Sequence, residues 1–323
     1  MSFTESADGS VLMDGRPYTG TTQKSFAYAS GMTYTGKFIQ GQRQGHGKCI
    51  YPSMGDEKPS TYDGQWAGNA RDGHGTTVYA NGDKYAGAWS TDMRSGHGIL
   101  SFFNGDRYEG IFTGDTRSKG TMYYANKDRY EGLWTGDFRS GLGSMFYANG
   151  DVYTGEWLMN ERNGNGECKY ACGDLYVGEW HDDMRNGMAT KFKAANGDMY
   201  VGQWNDDKRD GEGICTYQNG DVYDGHWYEN MRHMEGKCTF ATDDVYVGQW
   251  CNDHRNGTGK CDYQNGNTYT GGFAWDVRSG KGCCSYANGD KYDGFWAKNL
   301  RDGTGSQTKA NGDNYTGHWS KDL

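Results

Sequence analysis

One pattern, Tyr-x-Gly-x-aromatic, returns at Tyr34, Tyr62, Tyr85, Tyr108, Tyr130, Tyr153, Tyr176, Tyr200, Tyr223, Tyr246, Tyr269, Tyr292 and Tyr315, with a degenerate copy at Tyr18. The step is 23 residues for most of the chain, 22 from Tyr108 to Tyr130, 24 from Tyr176 to Tyr200, and 28 across an insertion at 51–61, "YPSMGDEKPST". A fixed period running from 18 to 323 means an array of small units that stack on one another, and it overrides the two domains that 323 residues alone would suggest. Residues 1–17 are left as a lead or cap, with Pro17 blunting the first edge.

Within a copy, Tyr85, Gly87 and Trp89 fall on alternate positions, which puts all three on one face of a strand. The same anchors recur as Tyr153, Gly155 and Trp157 and as Tyr223, Gly225 and Trp227. An Asn or Asp follows three residues after the aromatic, as at Asp92 and Asn160, and these are the non-glycine residues that best accept a left-handed turn. A second alternation then runs through Arg-x-Gly-x-Gly and closes on "ANGD", where Asn-Gly signals a hairpin. Each copy therefore reads as a β-hairpin joined to the next by a turn. Gly96 and Gly98 are expected to leave bare backbone on which aromatic rings rest.

The expected fold is all-β, an elongated, curved ribbon of about 14 stacked antiparallel hairpins. A lone hairpin is marginal in water, so neighbours must share ring contacts and a hydrogen-bond ladder. Composition agrees, because 53 Gly, 25 Tyr and 11 Trp make any buried surface largely aromatic. No run of 18 or more apolar residues occurs, and the opening "MSFTESADGS" lacks the basic and apolar regions of a secretory signal, so a cytoplasmic chain is expected. A net charge of −9 disfavours nucleic acid and, absent a segregated basic stripe, an anionic membrane.

Three features invite a chemical reading. The residue between the paired glycines is His46, His74 and His97 in some copies but Leu142, Asn165, Glu212, Thr258, Lys281 or Thr304 in others, so no catalysis can depend on it. It should point away from the glycines, into solvent. Cys49, Cys168, Cys215, Cys238, Cys261 and Cys284 share one repeat position, two strands apart from copy to copy; about 9 to 10 Å is too far for a disulfide and unsuited to a shared metal. They read as core thiols in a reducing compartment, with Cys283 as the exposed member of its pair. No catalytic, cofactor or metal site is expected, and no enzymatic activity.

The third feature is an Arg in every hairpin, among them Arg94, Arg139, Arg162, Arg185, Arg209 and Arg255, spaced about 10 Å apart. Such a row suits an acidic protein partner or phosphoinositide headgroups. The alternative is that each Arg bonds its own turn carbonyls or the Asp or Asn two residues before it. Tyr315, Gly317 and Trp319 begin a last hairpin whose second strand is absent from the sequence, an expected edge for a homodimer or for a partner strand.

The unit as a whole, Tyr-x-Gly-x-Trp, Arg-x-Gly-x-Gly and Tyr-x-Asn-Gly-Asp, closely resembles the MORN (membrane occupation and recognition nexus) repeat over residues 18–323. Departures are Lys119 and Gly120, where a copy is one residue short, Ala189 for the second Gly, and Met234 for the first. The resemblance implies a non-enzymatic scaffold without cofactors, similar to all-repeat cytoskeletal and ciliary proteins such as radial-spoke-head components or cortical scaffolds. Its implied partners are cytoskeletal or axonemal proteins, in a cilium, flagellum or cell cortex. The alternative it implies is a tether between phosphoinositide membrane and cytoskeleton.

Overall fold

A computed structural model describes residues 2–23, 25–53 and 58–323, so residues 54–57 of the insertion lie outside the described residues. Among the described residues every regular element is a β-strand, and within each unit the strands of the repeats pair antiparallel with their sequence neighbours. The chain forms two compact units, Met1–Glu161 and Arg162–Leu323.

The first unit opens with a small sheet of Phe3–Glu5, Val11–Met13 and Arg16–Pro17. Two short strands, Gly20–Thr21 and Phe26–Ala27, then cover the outer edge of Thr33–Ile39. Pro17 was expected to blunt this edge, but it pairs with Leu12 in the small sheet, and backbone from the degenerate copy does the covering. That copy keeps the repeat's first device, the Tyr18 ring over Gly20, and carries Thr22 where other copies have a large aromatic. From Thr33 onward hairpin follows hairpin to Val152–Leu158. The second unit repeats the plan from the pairing of Glu161–Lys169 with Leu175–His181 to Asn314–Trp319 laddered on Leu300–Thr308.

Two different turns alternate. Lys84–Ser90 and Met93–Ser101 are joined by Thr91 and Asp92, with φ of 48° and 65°. Two consecutive left-handed residues make a type I′ turn, whose twist matches that of the strands. From Asn69 onward the Asn/Asp column fills its second position, at Asn69, Asp115, Asp137, Asn160, Asp183, Asp207, Asn230, Asp253, Asp276 and Asn299, where the Tyr34 hairpin has Gly41. The "ANGD" connection is also a hairpin turn, but of another type. Gly82 N–H donates to the Tyr79 carbonyl at 3.0 Å, Tyr79 N–H donates to the Asp83 carbonyl at 2.9 Å, and of the loop residues only Gly82 is left-handed, at φ 91°. This is a type I turn closed by a glycine bulge, one residue longer than an Asn-Gly two-residue turn.

A bulge inside each hairpin sets the side-chain geometry. Gly87 faces Gly98, yet two residues on Trp89 faces Arg94, so the second strand carries two extra residues between those pairs. Gly96 absorbs the misfit with φ 67°, and a Cβ placed there would touch only the Ala88 methyl at 3.5 Å. The expectation that Gly96 seats a ring is therefore corrected: it supplies a left-handed backbone. Gly98 and Gly87 are the seat. A Cβ on Gly98 would stand 2.5 Å from Tyr85 Cε2, and one on Gly87 would stand 2.5 Å from the Gly98 Cα.

Candidate functional site

The face bearing Tyr85, Gly87 and Trp89 carries nearly all of the buried apolar surface. Tyr85 is fully buried, as are Tyr153 and Tyr223 at the same position, and Trp89, Trp157 and Trp227 are nearly so. Tyr85 meets its own Trp89 edge-on at 5.2 Å and Phe112 of the next hairpin at 5.1 Å, and Tyr223 meets Trp227 at 5.2 Å and Trp250 at 5.4 Å. Both tyrosines are thus wedged between two perpendicular rings, the preferred aromatic geometry, and the wedge joins one copy to the next. Gly155 faces Gly143 and Gly225 faces Gly213 and Gly236, so the bare-backbone seat recurs under each ring.

The polar ends of the rings are used as fully. The Tyr85 hydroxyl donates to the Ala88 carbonyl at 2.8 Å, Tyr153 to Glu156 at 2.9 Å and Tyr223 to His226 at 2.9 Å; in each case the acceptor is the carbonyl beside the bulge. Trp227 Nε1 donates to the carbonyl of Gly213 in the preceding copy at 3.0 Å. Burial pushes the Tyr85 hydroxyl up to about 12, against the opposing pull of the Arg94 charge. These phenols are structural donors at any physiological pH.

The Arg row is organised differently from either expectation. Arg94 bonds neither its own turn nor Asp92; its N–H and Nε donate to Asp115 Oδ1 at 2.8 and 3.1 Å, and Nη2 to the Asp115 carbonyl at 2.6 Å. In return Asp115 N–H donates to the Arg94 carbonyl at 3.1 Å. Nη2 donates likewise from Arg139 to the Asn160 carbonyl, from Arg162 to Asp183, from Arg185 to Asp207, from Arg209 to Asn230 and from Arg255 to Asp276, each acceptor lying in the next hairpin's turn. The guanidinium also lies over the next hairpin's ring, as Arg71 does over Trp89 at 4.0 Å and Arg185 over Trp204 at 4.2 Å. With its side chain only 18 % exposed, Arg94 is a clasp between repeats rather than a cation held out to a surface. Burial acts to raise the Asp137 carboxyl, and the hydrogen bonds from Arg117 outweigh it, leaving the group below its ordinary value.

A second clasp runs along the "ANGD" turns and was not read from the sequence. Asp83 Oδ1 accepts the backbone N–H of Phe103 at 2.8 Å and Asp106 that of Ala125 at 2.8 Å, again reaching one copy ahead. The recurrence of Asp at this position was the signal available.

Between the two clasps the ring face is an open groove. In the first unit one stretch of it is a cavity of about 550 Å³ whose walls include Tyr79, Phe102, Leu100, Arg94 and Arg117. His97 lies exposed, and Cys49, Cys168, Cys215, Cys238, Cys261 and Cys284 are buried beside the tyrosines while Cys283 is exposed. Of the last candidate residues, Gly317 faces Gly305, Trp319 packs on Tyr292 at 5.3 Å, and Tyr315 is 53 % exposed.

The MORN repeat pattern matches eleven stretches, 34–53, 62–84, 85–107, 130–152, 153–174, 176–198, 200–222, 223–245, 246–268, 269–291 and 292–314. No curated protein matches the chain. Among solved structures, the TCP10 domain of Danio rerio CPAP, in complex with a peptide of STIL, is 13 % identical and covers 77 % of this chain and 96 % of its own, with a TM-score of 0.23. The TCP10c domain of Drosophila melanogaster Sas-4 is 14 % identical over 56 % of this chain and 93 % of its own, TM-score 0.27. Virginiamycin B lyase from Staphylococcus aureus is 9 % identical over 84 % and 83 %, TM-score 0.14. At such TM-scores none of the three bears on what this chain does.

Proposed function

The chain belongs to the MORN repeat family, and from that premise we propose that it is a non-enzymatic scaffold acting through protein–protein contacts in a cytoskeletal assembly, axonemal or cortical. The observation that carries this reading is the pair of clasps. The side chains that recur most faithfully, Tyr, Trp, Arg and the turn Asp or Asn, are engaged in joining one hairpin to the next. What remains to meet a partner is a groove that repeats with the hairpins and whose lining varies between them, as Leu100 and Ser60 give way to Gln307 and Asn267. A periodic surface on a self-supporting array suits holding partners at set intervals.

Co-sedimentation with detergent-extracted cytoskeletons tests it. The chain is expected in the pellet with salt-resistant partners; recovery wholly in the detergent extract overturns the proposal.

A further inference from the structure

Resting on that reading, we propose that the groove of the second unit holds a specific receptor for a carboxylate of an acidic protein segment, centred on Arg278. Two columns of the repeat supply the acceptors around each arginine, a turn column of Asp or Asn and the "ANGD" column, and beside Arg278 alone both are amides. The turn residue that clasps Arg278 is Asn299, where Asp115, Asp183 or Asp276 stands in other copies. In the "ANGD" column, which reads Asp at 83, 106, 128, 151, 174, 198, 221, 244, 290 and 313, residue 267 is Asn. Asn267, Arg278 and Asn299 line a single cavity of about 410 Å³.

The exchange from acid to amide preserves the fold and changes the charge. Asn299 Oδ1 still accepts the Arg278 N–H at 2.7 Å, and Asn267 Oδ1 still accepts the Ala287 N–H at 2.9 Å. The guanidinium is what goes short. Arg94 sends both Nε and Nη2 to Asp115, whereas Arg278 meets oxygen only through Nη2, at the Asn299 carbonyl 2.8 Å away. Its planar fork is pinned over Trp296 at 4.1 Å and also meets the Cys284 sulfur, while Nε lacks an oxygen acceptor among the described residues.

The other charges in the cavity are committed. Asp322 is held by Arg301, whose Nε lies at 2.9 Å and whose Nη1 donates to Gln307 at 3.0 Å. Asp290 Oδ1 accepts the Ala310 N–H at 2.9 Å. Arg278 thus differs from its neighbour Arg301 in the very donors that recognise a carboxylate side-on. Of the other arginines facing Asn, Arg139 and Arg209 keep Asp128 and Asp198 in the second column, and Arg43, with Met32 there, turns Nη1 to the Met32 sulfur. The groove's repeat from hairpin to hairpin, with the half-buried Tyr286 ring in the same cavity, favours an extended chain over a headgroup as the source of the carboxylate.

The test is fluorescence anisotropy of a labelled oligoglutamate peptide against the full chain, Asn267→Asp/Asn299→Asp and Arg278→Gln, with oligolysine as control. Both Asp residues occur at these positions elsewhere in the array, so the double variant should fold as the native chain does, which circular dichroism checks. Native chain is expected to bind oligoglutamate in a salt-sensitive way, and the Asp variant to lose affinity about tenfold or more, as removal of a charge-assisted pair predicts. Equal binding by the native chain and the folded Asp variant overturns the proposal, as does binding confined to phosphoinositide vesicles. Cytoskeletal co-sedimentation of the same proteins separates the two readings: pelleting of the native chain and the Asp variant alike leaves the scaffold standing and removes this site, while failure of the native chain to pellet removes the scaffold itself.

Discussion

The hairpin of Tyr85 and the hairpin of Tyr176 use the same residues with one difference, and that difference explains the glycines. In the first, Gly87 faces Gly98 and the tyrosine ring lies over both. In the second, Gly178 faces Ala189, fully buried, and the strand takes in one extra residue, with Thr190 looped out between the pairs Val177–Lys191 and Gly178–Ala189. The Tyr176 hydroxyl still reaches the Glu179 carbonyl at 2.8 Å, so the seat survives. The consequence appears one copy later. Trp227 donates to the Gly213 carbonyl, but Trp204, whose acceptor would be Ala189, has its Nε1 buried without a partner. A single methyl at the seat is accompanied by a lengthened strand, and the adjoining indole, like that of Trp319 on the last strand, has no bonded carbonyl among the described residues.

Four experiments break or sharpen this comparison. The largest effect is expected from alkali, because both hairpins keep a buried phenol. Tyr62, Tyr85, Tyr108, Tyr130 and Tyr269 are each raised to about 12 by burial. In the unfolded chain they ionise near 10, so their contribution to stability is complete below about pH 10 and is lost as pH rises from about 10 to about 12. Tyrosinate absorbance and the loss of strand circular dichroism should coincide in that window; early titration with the strand signal intact counts against buried seats.

Next comes Gly98→Ala, which presses a methyl against the Tyr85 ring without the extra residue that accompanies Ala189; a loss of about 2 to 3 kcal/mol is expected from urea denaturation. Inserting a Thr after position 98 in that variant should recover part of the loss, and no recovery would mean that Thr190 is unrelated to Ala189. Third, Trp227→Phe should cost about 1 kcal/mol more than Trp204→Phe, since only Trp227 has a hydrogen bond to lose. The smallest effect is at Met234, a long side chain at φ 55° where other copies place glycine. Met234→Gly should raise stability by up to about 1 kcal/mol, while Gly257→Met, at φ 105°, should lower it by more.

The period, the hairpins and the buried Tyr-Gly-Trp face were legible because alternation along a strand is a local property. So was the left-handed turn column, since few residues other than Asn or Asp accept that backbone. The roles of Gly96 and Gly98 were not distinguishable, because glycine looks the same whether it is chosen for φ or for bare space, and only the bulge separates the two. Nor was the partner of Arg94 legible. Asp92 and Asp115 are equally good acceptors on paper, and the choice between a residue 2 away and one 21 away is made by the ladder to the next strand. Asn267 was visible as a departure from its column, and Asn299 as one of the amides in its own, but nothing in the sequence says that they meet at one arginine.

The Arg clasp has a further consequence for the genetics of such a chain. Its two halves are alike from copy to copy, so any repeat carries the fitting for whichever repeat follows it. Duplication or loss of a whole 23-residue unit would bring an Arg such as Arg71 against another turn Asp with the same geometry. Repeat number is therefore a variable that unequal recombination can alter in single steps, leaving the joint unchanged and making reach a heritable trait separable from fold.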